Sequence, residues 1–423
     1  MDRKTRVIHI ISGLTTGGAE TMLCRLLEHG DHESFSHRVI SLRGRGALAD
    51  RIEKHSSLTA LNLKGPRLPL DFLRLTREIR RFEPDLIQTW LTHGTVFGSA
   101  ATLLSRKTRL LWSIHTGMAD RSQLKWSTRL LTRALAATSD LLPDRIVSCS
   151  EFAARRHEEM GFPSSRMTII PNGTPLQRFR NGSDAGTKFR LELGVPENAD
   201  VVGIAGRWTS EKDFPNFFRS ALRLQESRPD TYFFLCGPGV VPGNEAAERY
   251  IRRSSRPDRF LLLGLRRDMP AFYAACTTVA LSSRSEAFPL VLGEAMATGV
   301  PCVSTDVGDA RRIIGDTGFV VPPEDPDALA DGLHRMLALD SETYRDLASR
   351  AVHRIRERFS VQRCVEDYQR LFREMVHGVP TAASAPDEPA PVALDLAPAR
   401  AASRRARLRR AIAGRAEAPD ASA

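Results

Sequence analysis

Two glutamates, Glu286 and Glu294, lie eight positions apart in the segment SRSEAFPLVLGEAMATGVP. The first follows the β-rich run TVALSS, and the second falls about one turn inside a helix that we expect to open near Leu290 and Val291. A helix start presents free backbone N–H groups that suit a diphosphate, and carboxylates nearby accept hydrogen bonds from sugar or ribose hydroxyls. The spacing therefore favours a nucleotide-sugar site, with two ordinary acidic residues on a surface helix as the alternative.

A basic pair, Arg207 and Lys212, follows the β-rich run VVGIAG in the segment GIAGRWTSEKDF. A fork-shaped guanidinium and a point-charge ammonium together would neutralise the charge that builds on a departing diphosphate. Taken alone, a basic pair in a loop is usually only solvated.

Two adjacent glycines, Gly17 and Gly18, stand between the first predicted strand and the first predicted helix, in ISGLTTGGAET. A backbone without side chains allows a ligand to approach closely, although a tight structural turn would have the same sequence. The segment does not match the G-x-G-x-x-G fingerprint of dinucleotide-binding folds, which argues against NAD or FAD.

These motifs occur in a recognisable order. The GGAE loop, the IPNG segment, the Arg207 and Lys212 pair and the E-x7-E segment ending in GEAMATGVP resemble the motifs of retaining glycosyltransferases of the GT-B fold, family 4, also called glycosyl transferases group 1. The resemblance runs from about Val7 to Met375. It implies an α/β protein in which two Rossmann-like β/α/β domains face each other across a cleft.

The resemblance also implies roles for the matching residues. Arg207 and Lys212 would hold the donor diphosphate, Glu286 would lie under the donor sugar, and Glu294 would bind the nucleotide ribose. The glycine loop would close over the phosphates or the acceptor from the other domain. No metal and no cofactor is implied, because two cations and a helix start already provide the positive charge.

Three histidines need separate interpretations. His115 ends the run RLLWSIH and matches a family histidine near the reacting sugar, so we expect it to position the donor or contact the acceptor; a packed core histidine is the alternative. His93, in TWLTHGT, is expected to meet the acceptor at the same cleft edge, whereas His9, inside VIHII, is expected only to pack.

The sequence departs from the family pattern at three places. Asp213 stands where glycine often follows the lysine, Ala287 stands where glycine commonly follows the first glutamate, and Gly308-Asp309 replaces a common Gly-Gly. These changes leave the general chemistry intact and put the fine shape of the donor pocket in question.

Short β-rich runs alternate with helical patterns along most of the chain, which predicts parallel sheets with crossover helices. The alternation breaks near IPNGTPLQRFRNGSDAGT and then restarts. We therefore predict an acceptor-side domain over 1–178, a donor domain over 179–360, a helix over 361–378 that crosses back to the first domain, and a disordered Ala/Pro/Arg-rich tail over 379–423.

Size and composition agree with two soluble domains. The chain has 423 residues, of which 42% are hydrophobic and 26% are charged. It shows no secretory signal and no apolar run of bilayer length, so we expect a cytoplasmic protein. Its six cysteines are scattered singly and are expected to be buried and reduced. The only D-x-D segment, Asp325-Pro326-Asp327, has the sequence of a helix cap rather than a metal site.

A net charge of +11 indicates an acidic partner or none at all, and the candidates are nucleotide phosphates, anionic lipid head groups and nucleic acid. Nucleic acid is not expected, because aromatics are only 7% and no nucleic-acid-binding motif appears. UDP-, GDP- or ADP-sugars are the expected donors, and the acceptor is expected to be a carbohydrate or a lipid-linked molecule. The basic amphipathic segments LDFLRLTREIRRF and KWSTRLLTRAL predict contact with an anionic membrane at its inner face, with ordinary crossover helices as the alternative.

The resemblance thus implies an enzyme that moves a sugar from a nucleotide diphosphate to a hydroxyl group with retained configuration, in polysaccharide or glycolipid biosynthesis. Two alternatives stay open. One is a sugar-nucleotide epimerase or hydrolase on the same fold, and the other is a non-catalytic nucleotide-sugar-binding protein.

Overall fold

The computed structural model describes residues 3–63, 68–103, 108–117, 126–180, 183–378 and 394–395. They form two parallel β-sheets, each covered by helices. The predicted α/β class with two Rossmann-like halves is therefore confirmed. Most of the predicted tail lies outside the described residues.

The first half contains seven strands and the helices between them. The strands are β1 (Thr5–Ile11), β2 (Phe35–Ser41), β3 (Ser57–Ala60), β4 (Leu86–Trp90), β5 (Arg109–Ile114), β6 (Arg145–Ser148) and β7 (Met167–Ile169). The helices are α1 (Gly18–His29), α2 (Ala49–Glu53), α3 (Leu68–Phe82), α4 (Leu91–Thr102), α5 (Trp126–Thr138) and α6 (Glu151–Glu158).

The second half repeats this pattern. Its strands are β8 (Val201–Ala205), β9 (Tyr232–Cys236), β10 (Phe260–Leu262), β11 (Thr278–Leu281), β12 (Cys302–Thr305), β13 (Phe319–Val321) and β14 (Leu394–Asp395). Its helices are α7 (Leu176–Phe179), α8 (Ser183–Glu192), α9 (Phe214–Ser227), α10 (Glu245–Ile251), α11 (Met269–Ala274), α12 (Leu290–Ala297), α13 (Ala310–Ile314), α14 (Pro326–Leu337) and α15 (Ser341–Arg358), and a further helix, α16 (Val361–His377), follows them in the chain.

The two sheets have matching topologies. The first has the order β3-β2-β1-β4-β5-β6-β7, and the second has the order β10-β9-β8-β11-β12-β13-β14. In each sheet the strand order reverses beside the first strand of the half, at β1 and β8. Ligands of open parallel sheets bind beyond the carboxyl ends of the strands at such a reversal. This rule directs attention to the loops after β1, β4, β8 and β11.

Most strands coincide with the β-rich runs from which strands are predicted in the sequence. Two short strands of the first sheet, β3 and β7, are not predicted from sequence, because every side chain in them is at least partly exposed. The strand β14 is not predicted either, because only two residues form it, inside an Ala- and Pro-rich segment.

Up to the end of α16, the chain passes between the two halves at two adjacent points. Thr174 and Ser360 form a parallel bridge, in which Thr174 N donates to Phe359 O (2.8 Å) and Val361 N donates to Thr174 O (3.0 Å). Beyond this bridge α16 packs on α1 and β4 of the first sheet. The predicted crossing helix therefore lies against the first half.

All six cysteines are buried and unpaired, as their sequence context predicts. Burial raises the pKa of the Cys24 thiol to about 11, because the charged form would lose its hydration. These thiols therefore stay neutral inside the two cores.

Several histidines are buried in the first half. Trp90 Nε1 donates to His9 Nδ1 (3.4 Å), which leaves His9 Nε2–H to donate to His37 Nδ1 (2.9 Å). Burial lowers the pKa of His37 to about 4 and that of His157 to about 4. His9 is therefore more than a packing residue, because it links Trp90 to His37.

These pKa values predict a loss of stability in mild acid. The folded-state pKa of His157 lies below its unfolded value of about 6.5, so the unfolded state takes up a proton first as the pH falls. The contribution of neutral His157 to the free energy of unfolding is therefore complete above pH 6.5 and is lost as the pH falls towards 4. Between pH 7 and pH 5, the free energy of unfolding should fall by about 2 kcal/mol for each of His37 and His157. Urea titrations at pH 7 and pH 5, followed by the fluorescence of buried Trp90 and Trp112, measure this difference.

His157→Gln provides the control for this prediction, because glutamine cannot gain a proton in this range. The variant should show a difference between pH 7 and pH 5 that is about 2 kcal/mol smaller than that of the wild type. An unchanged difference would show that His157 does not take up a proton on unfolding.

Candidate active site

A cavity of about 1070 Å³ lies between the two halves of the protein. The loops that follow β1 and β5 line one side, and the loops that follow β8, β9 and β11 line the other. Because both sheets direct the carboxyl ends of their strands to this space, residues far apart in sequence meet there.

Nine of the ten site residues predicted from sequence line this cavity, namely Gly17, Gly18, His115, Arg207, Lys212, Glu286, Leu290, Val291 and Glu294. The tenth, His93, lies in the first turn of α4, is exposed and is not among the lining residues, whereas its neighbour Thr92 is. An acceptor contact for His93 stays a prediction.

Lys212 and Glu286 contact each other directly. Lys212 Nζ lies 2.5 Å from Glu286 Oε1, and Ser283 Oγ donates to the same oxygen at 2.7 Å. Both ionised side chains are largely buried, so each compensates the charge of the other. The pair fixes the Glu286 carboxylate at the cavity wall.

Arg207 has a different environment from that of Lys212. It is exposed in the loop after β8, beside Glu211. Hydrogen bonds from the backbone and from Thr209 lower the pKa of Glu211, and the charge of Arg207 adds to this effect. Arg207 therefore extends into the open part of the cavity, where a guanidinium can reach an anionic ligand.

Asp213 shows why glycine is common at its position. Its φ of 45° places it in the left-handed region, which favours glycine because a Cβ crowds the backbone there. Two interactions stabilise the aspartate: its carboxylate accepts from Asn216 N at the start of α9 (3.2 Å) and from Arg284 Nε (2.8 Å). The substitution thus preserves the turn that presents Lys212.

Glu294 is held by two residues that the sequence motifs did not reveal. Arg25 Nη2 donates to its Oε1 at 2.5 Å, and Tyr273 Oη donates to its Oε2 at 3.0 Å. Arg25 comes from α1 in the other half of the protein. Only its burial inside α1 sets it apart from ordinary helix arginines, and that burial is visible in three dimensions alone.

Glu20 supports the glycine loop. Its carboxylate is buried and accepts from Thr15 Oγ1 (2.7 Å), and a Cβ on Gly17 would lie 2.3 Å from Glu20 Oε2. A side chain at Gly17 would therefore displace the Glu20 carboxylate from its place beside the loop. Gly18 has nothing within 4 Å of such a Cβ, so it leaves the backbone open to the cavity.

His115 lies against Trp90 with the two rings stacked 4.9 Å apart. Burial lowers its pKa to about 3, so the ring is neutral at physiological pH. Within the described residues neither ring nitrogen has a hydrogen-bond partner, although His115 lines the cavity. A buried ring with one free donor and one free acceptor is suited to bind a hydroxyl group.

The loop that carries Gly308 and Asp309 joins the two halves. Asp309 N donates to Ala287 O (3.0 Å), while the Asp309 carboxylate accepts from the N–H groups of Glu151 and Phe152 at the start of α6 (3.0 and 2.9 Å). Burial raises the pKa of Asp309, and the two backbone N–H groups oppose that rise. Asp309 thus links the Glu286 loop to a helix start across the cleft.

The described residues contain no group of three or more His, Cys, Asp or Glu side chains arranged to hold a metal ion. The Asp325 carboxylate accepts from Asp327 N (3.1 Å) and Ala328 N (3.0 Å) at the start of α14. The D-x-D segment therefore caps a helix, as its sequence predicts.

The contact between Gly117 and Glu286 gives a test of how tightly the halves fit. A Cβ on Gly117 would lie 2.4 Å from Glu286 O, a backbone atom, so Gly117→Ala should cost about 1 to 3 kcal/mol and lower the Tm by several degrees. Gly18→Ala is the matched control, and it should leave the Tm of the ligand-free protein nearly unchanged. Equal Tm values for the two variants would contradict the close approach of the halves.

Comparisons with known proteins cover both sides of this cavity. A family model described as Glycosyltransferase Family 4 matches residues 16–178, and one described as Glycosyl transferases group 1 matches residues 199–339. An Escherichia coli UDP-Gal:alpha-D-GlcNAc-diphosphoundecaprenol alpha-1,3-galactosyltransferase is 24% identical over 309 residues, which are 72% of this chain and 79% of the relative. The lipopolysaccharide core biosynthesis mannosyltransferase LpsB of Rhizobium meliloti is 28% identical over 281 residues, 63% of this chain and 75% of LpsB.

The fold has solved counterparts. The crystal structure of Anabaena HepE in complex with UDP and glucose superposes with a TM-score of 0.77 at 21% identity and covers 88% of this chain and 100% of the other. The two family models span both halves of the cavity, and the two parallel sheets have the architecture of this neighbour. The chain therefore belongs to the group 1 glycosyltransferases, enzymes with the two-domain GT-B fold.

Proposed function

We propose that this glycosyltransferase moves a sugar from a nucleoside diphosphate sugar to a hydroxyl acceptor with retention of the anomeric configuration. One observation carries the proposal: a single cavity brings the glycine loop of the first half to Arg207, Lys212, Glu286 and Glu294 of the second half. Cations, free backbone N–H groups and carboxylates are the groups that recognise a diphosphate and the hydroxyls on either side of it.

In the proposed reaction the bond between the anomeric carbon and the diphosphate oxygen breaks, and a bond from that carbon to the acceptor oxygen forms on the same face. The proton of the acceptor hydroxyl passes to an oxygen of the departing diphosphate. Arg207, Lys212 and the N–H groups at the start of α12 would stabilise the charge on the leaving group. This assignment needs neither a metal ion nor a cofactor.

The environments of Glu286 and His115 support a reaction without a protein nucleophile. Glu286 Oε1 accepts hydrogen bonds from Lys212 and Ser283, which withdraw negative charge from the whole carboxylate and make it a weaker nucleophile. His115 has a pKa of about 3 and is a weak base at neutral pH. We assign Glu286 to the donor-sugar hydroxyls and His115 to a hydrogen bond with the donor sugar or the acceptor.

A panel of UDP-, GDP- and ADP-sugars tests the donor site by calorimetry. The wild type should bind one nucleotide class, and Arg207→Ala/Lys212→Ala should weaken that binding by more than 100-fold, because two charge-assisted contacts are lost. Arg223→Ala/Arg252→Ala is the control, since it removes the same charge from two residues that do not line the cavity. It should bind as the wild type does.

The outcomes separate the alternatives. No binding across the panel would contradict the donor site. Donor binding without sugar transfer to a set of sugar and lipid-linked acceptors would favour a binding protein, and nucleotide release without any acceptor would favour a hydrolase. The anomeric configuration of the product, read by NMR, decides whether the transfer is retaining.

A lipid-linked acceptor and a membrane location form a second part of the proposal. The helices α3, α4 and α5 pack side by side, and the first two turns of α3 and α5 expose Leu70, Leu73, Trp126 and Leu130, at 61%, 62%, 77% and 59%. The outer faces of the same helices carry the exposed arginines Arg77, Arg80, Arg81 and Arg133. Apolar side chains beside arginines suit the interface of an anionic bilayer.

The position of these side chains suits the delivery of a lipid-linked acceptor. α3 and α5 run back from the carboxyl edge of the first sheet, so their first turns lie at the edge that also forms the cavity. None of the described helices combines the length and the hydropathy needed to cross a bilayer. We therefore propose peripheral contact at the inner face of the cell membrane, where cytoplasmic nucleotide sugars are available.

Vesicle co-sedimentation tests this contact. The wild type should bind vesicles that contain phosphatidylglycerol more tightly than pure phosphatidylcholine vesicles. Trp126→Ser/Leu130→Ser should reduce the binding about tenfold or more, because both apolar insertions are lost. Leu191→Ser, at a residue 78% exposed on α8 of the other half, is the control and should bind as the wild type does. A double variant that binds like the wild type would overturn the proposed surface.

A further inference from the structure

Arg25 is a fully buried arginine that the proposed reaction does not use. Its side chain is 1% exposed, and it lies in α1 among the apolar residues that pack this helix against the rest of the first half. Burying a guanidinium is costly, and a well-packed apolar residue in such a place is often as stabilising or more so. The contacts of Arg25 therefore need an explanation beyond stability.

Those contacts join three parts of the molecule. Arg25 Nη1 donates to Gly173 O (2.7 Å) in the segment that connects the halves, and Arg25 Nη2 donates to Glu294 Oε1 in α12. The helix that carries Arg25 begins at the glycine loop. One side chain thus ties the glycine-loop helix and the connecting segment to the second glutamate of the E-x7-E segment.

Gly173 holds the Arg25 guanidinium at a well-defined position. A Cβ on Gly173 would lie 2.5 Å from Val361 Cα and 2.8 Å from Cys364 Cβ, so the connecting segment lies directly on the start of α16. A planar guanidinium that spans Gly173 O and a carboxylate has little rotational freedom. Arg25 therefore directs a rigid donor at Glu294.

The remaining carboxylate oxygen of Glu294 is held by Tyr273. The Tyr273 hydroxyl is buried, and its pKa is raised by burial and by the nearby carboxylate, so it stays protonated and donates. With one donor on each oxygen, the plane of the Glu294 carboxylate is set. Each oxygen keeps a further lone pair for a ligand, because a carboxylate offers about four acceptor sites.

We propose that Arg25, together with Tyr273, is a positioning residue that orients the Glu294 carboxylate for the hydroxyls of the donor ribose. This inference rests on the proposed function, in which Glu294 binds that ribose. Because Arg25 belongs to the first half, recognition of a ribose bound by the second half depends on contact between the two. Arg25 does not line the cavity and acts only through Glu294.

Calorimetry with UDP, GDP and ADP and with their 2′- and 3′-deoxy forms tests the inference. For the nucleotide that binds, removal of a ribose hydroxyl should weaken wild-type binding about 10- to 100-fold, the loss expected for a hydrogen bond to a charged group. In Arg25→Met the ribose form should bind more weakly, and the ratio between ribose and deoxyribose forms should fall to less than about threefold. The donor KM should rise while kcat changes little.

Arg312→Met is the control for a loosened contact between the halves. Arg312 pairs with Glu151 across the same boundary (3.3 Å) and does not contact Glu294. This variant should keep the wild-type ratio between ribose and deoxyribose binding. Thermal unfolding of each variant verifies that it is folded.

If Arg25→Met does not fold, Tyr273→Phe provides a second test, because it removes the hydrogen bond to the other oxygen of the Glu294 carboxylate. This variant should lower the ratio between ribose and deoxyribose binding by a smaller factor. A wild-type ratio in a folded Arg25→Met, or in Tyr273→Phe, would overturn the inference and leave the donor site intact. Absence of nucleotide binding by the wild type would instead contradict the proposed function. A wild type that binds ribose and deoxyribose forms equally would remove Glu294 from the ribose site and overturn the inference with it.

Discussion

The contacts of the loop that carries Glu286 fix the shape of the cavity. The Glu286 carboxylate accepts hydrogen bonds from Lys212 and Ser283. The Glu286 backbone lies so close to Gly117 that a single methyl group would not fit between them. Neighbouring Ala287 O accepts from Asp309 N. The same loop therefore contacts both halves of the protein and forms part of the cavity wall between them.

The sequence is sufficient for the fold and for nine of the residues that line the cavity. Alternating β-rich and helical patterns predict the parallel sheets, and the position of each motif after a strand predicts that Arg207, Lys212 and Glu286 gather at one edge. The order of strands and motifs along the chain is enough for this prediction, because the loops that follow parallel strands all lie at the same edge of the sheet. The weakly buried strand β3 lacks the pattern and was missed.

The supporting residues could not be found in the same way. Arg25 looks like any helix arginine, and Asp309 looks like a departure from a Gly-Gly pair, because their partners lie in the other half of the protein. Glu20 is buried beside the glycine loop, and the shape of that loop cannot be predicted from its amino-acid composition. His93 lies outside the cavity lining because of the direction in which the first turn of α4 presents it. The spacing of residues in the sequence does not give that direction.

The bridge between Thr174 and Ser360 has a further consequence. The chain enters the second half just after Thr174 and leaves it just before Ser360, so residues 175–359 begin and end at one hydrogen-bonded point. The main part of the second half is therefore attached through the backbone at a single place, and immediately beyond that place α16 packs on α1.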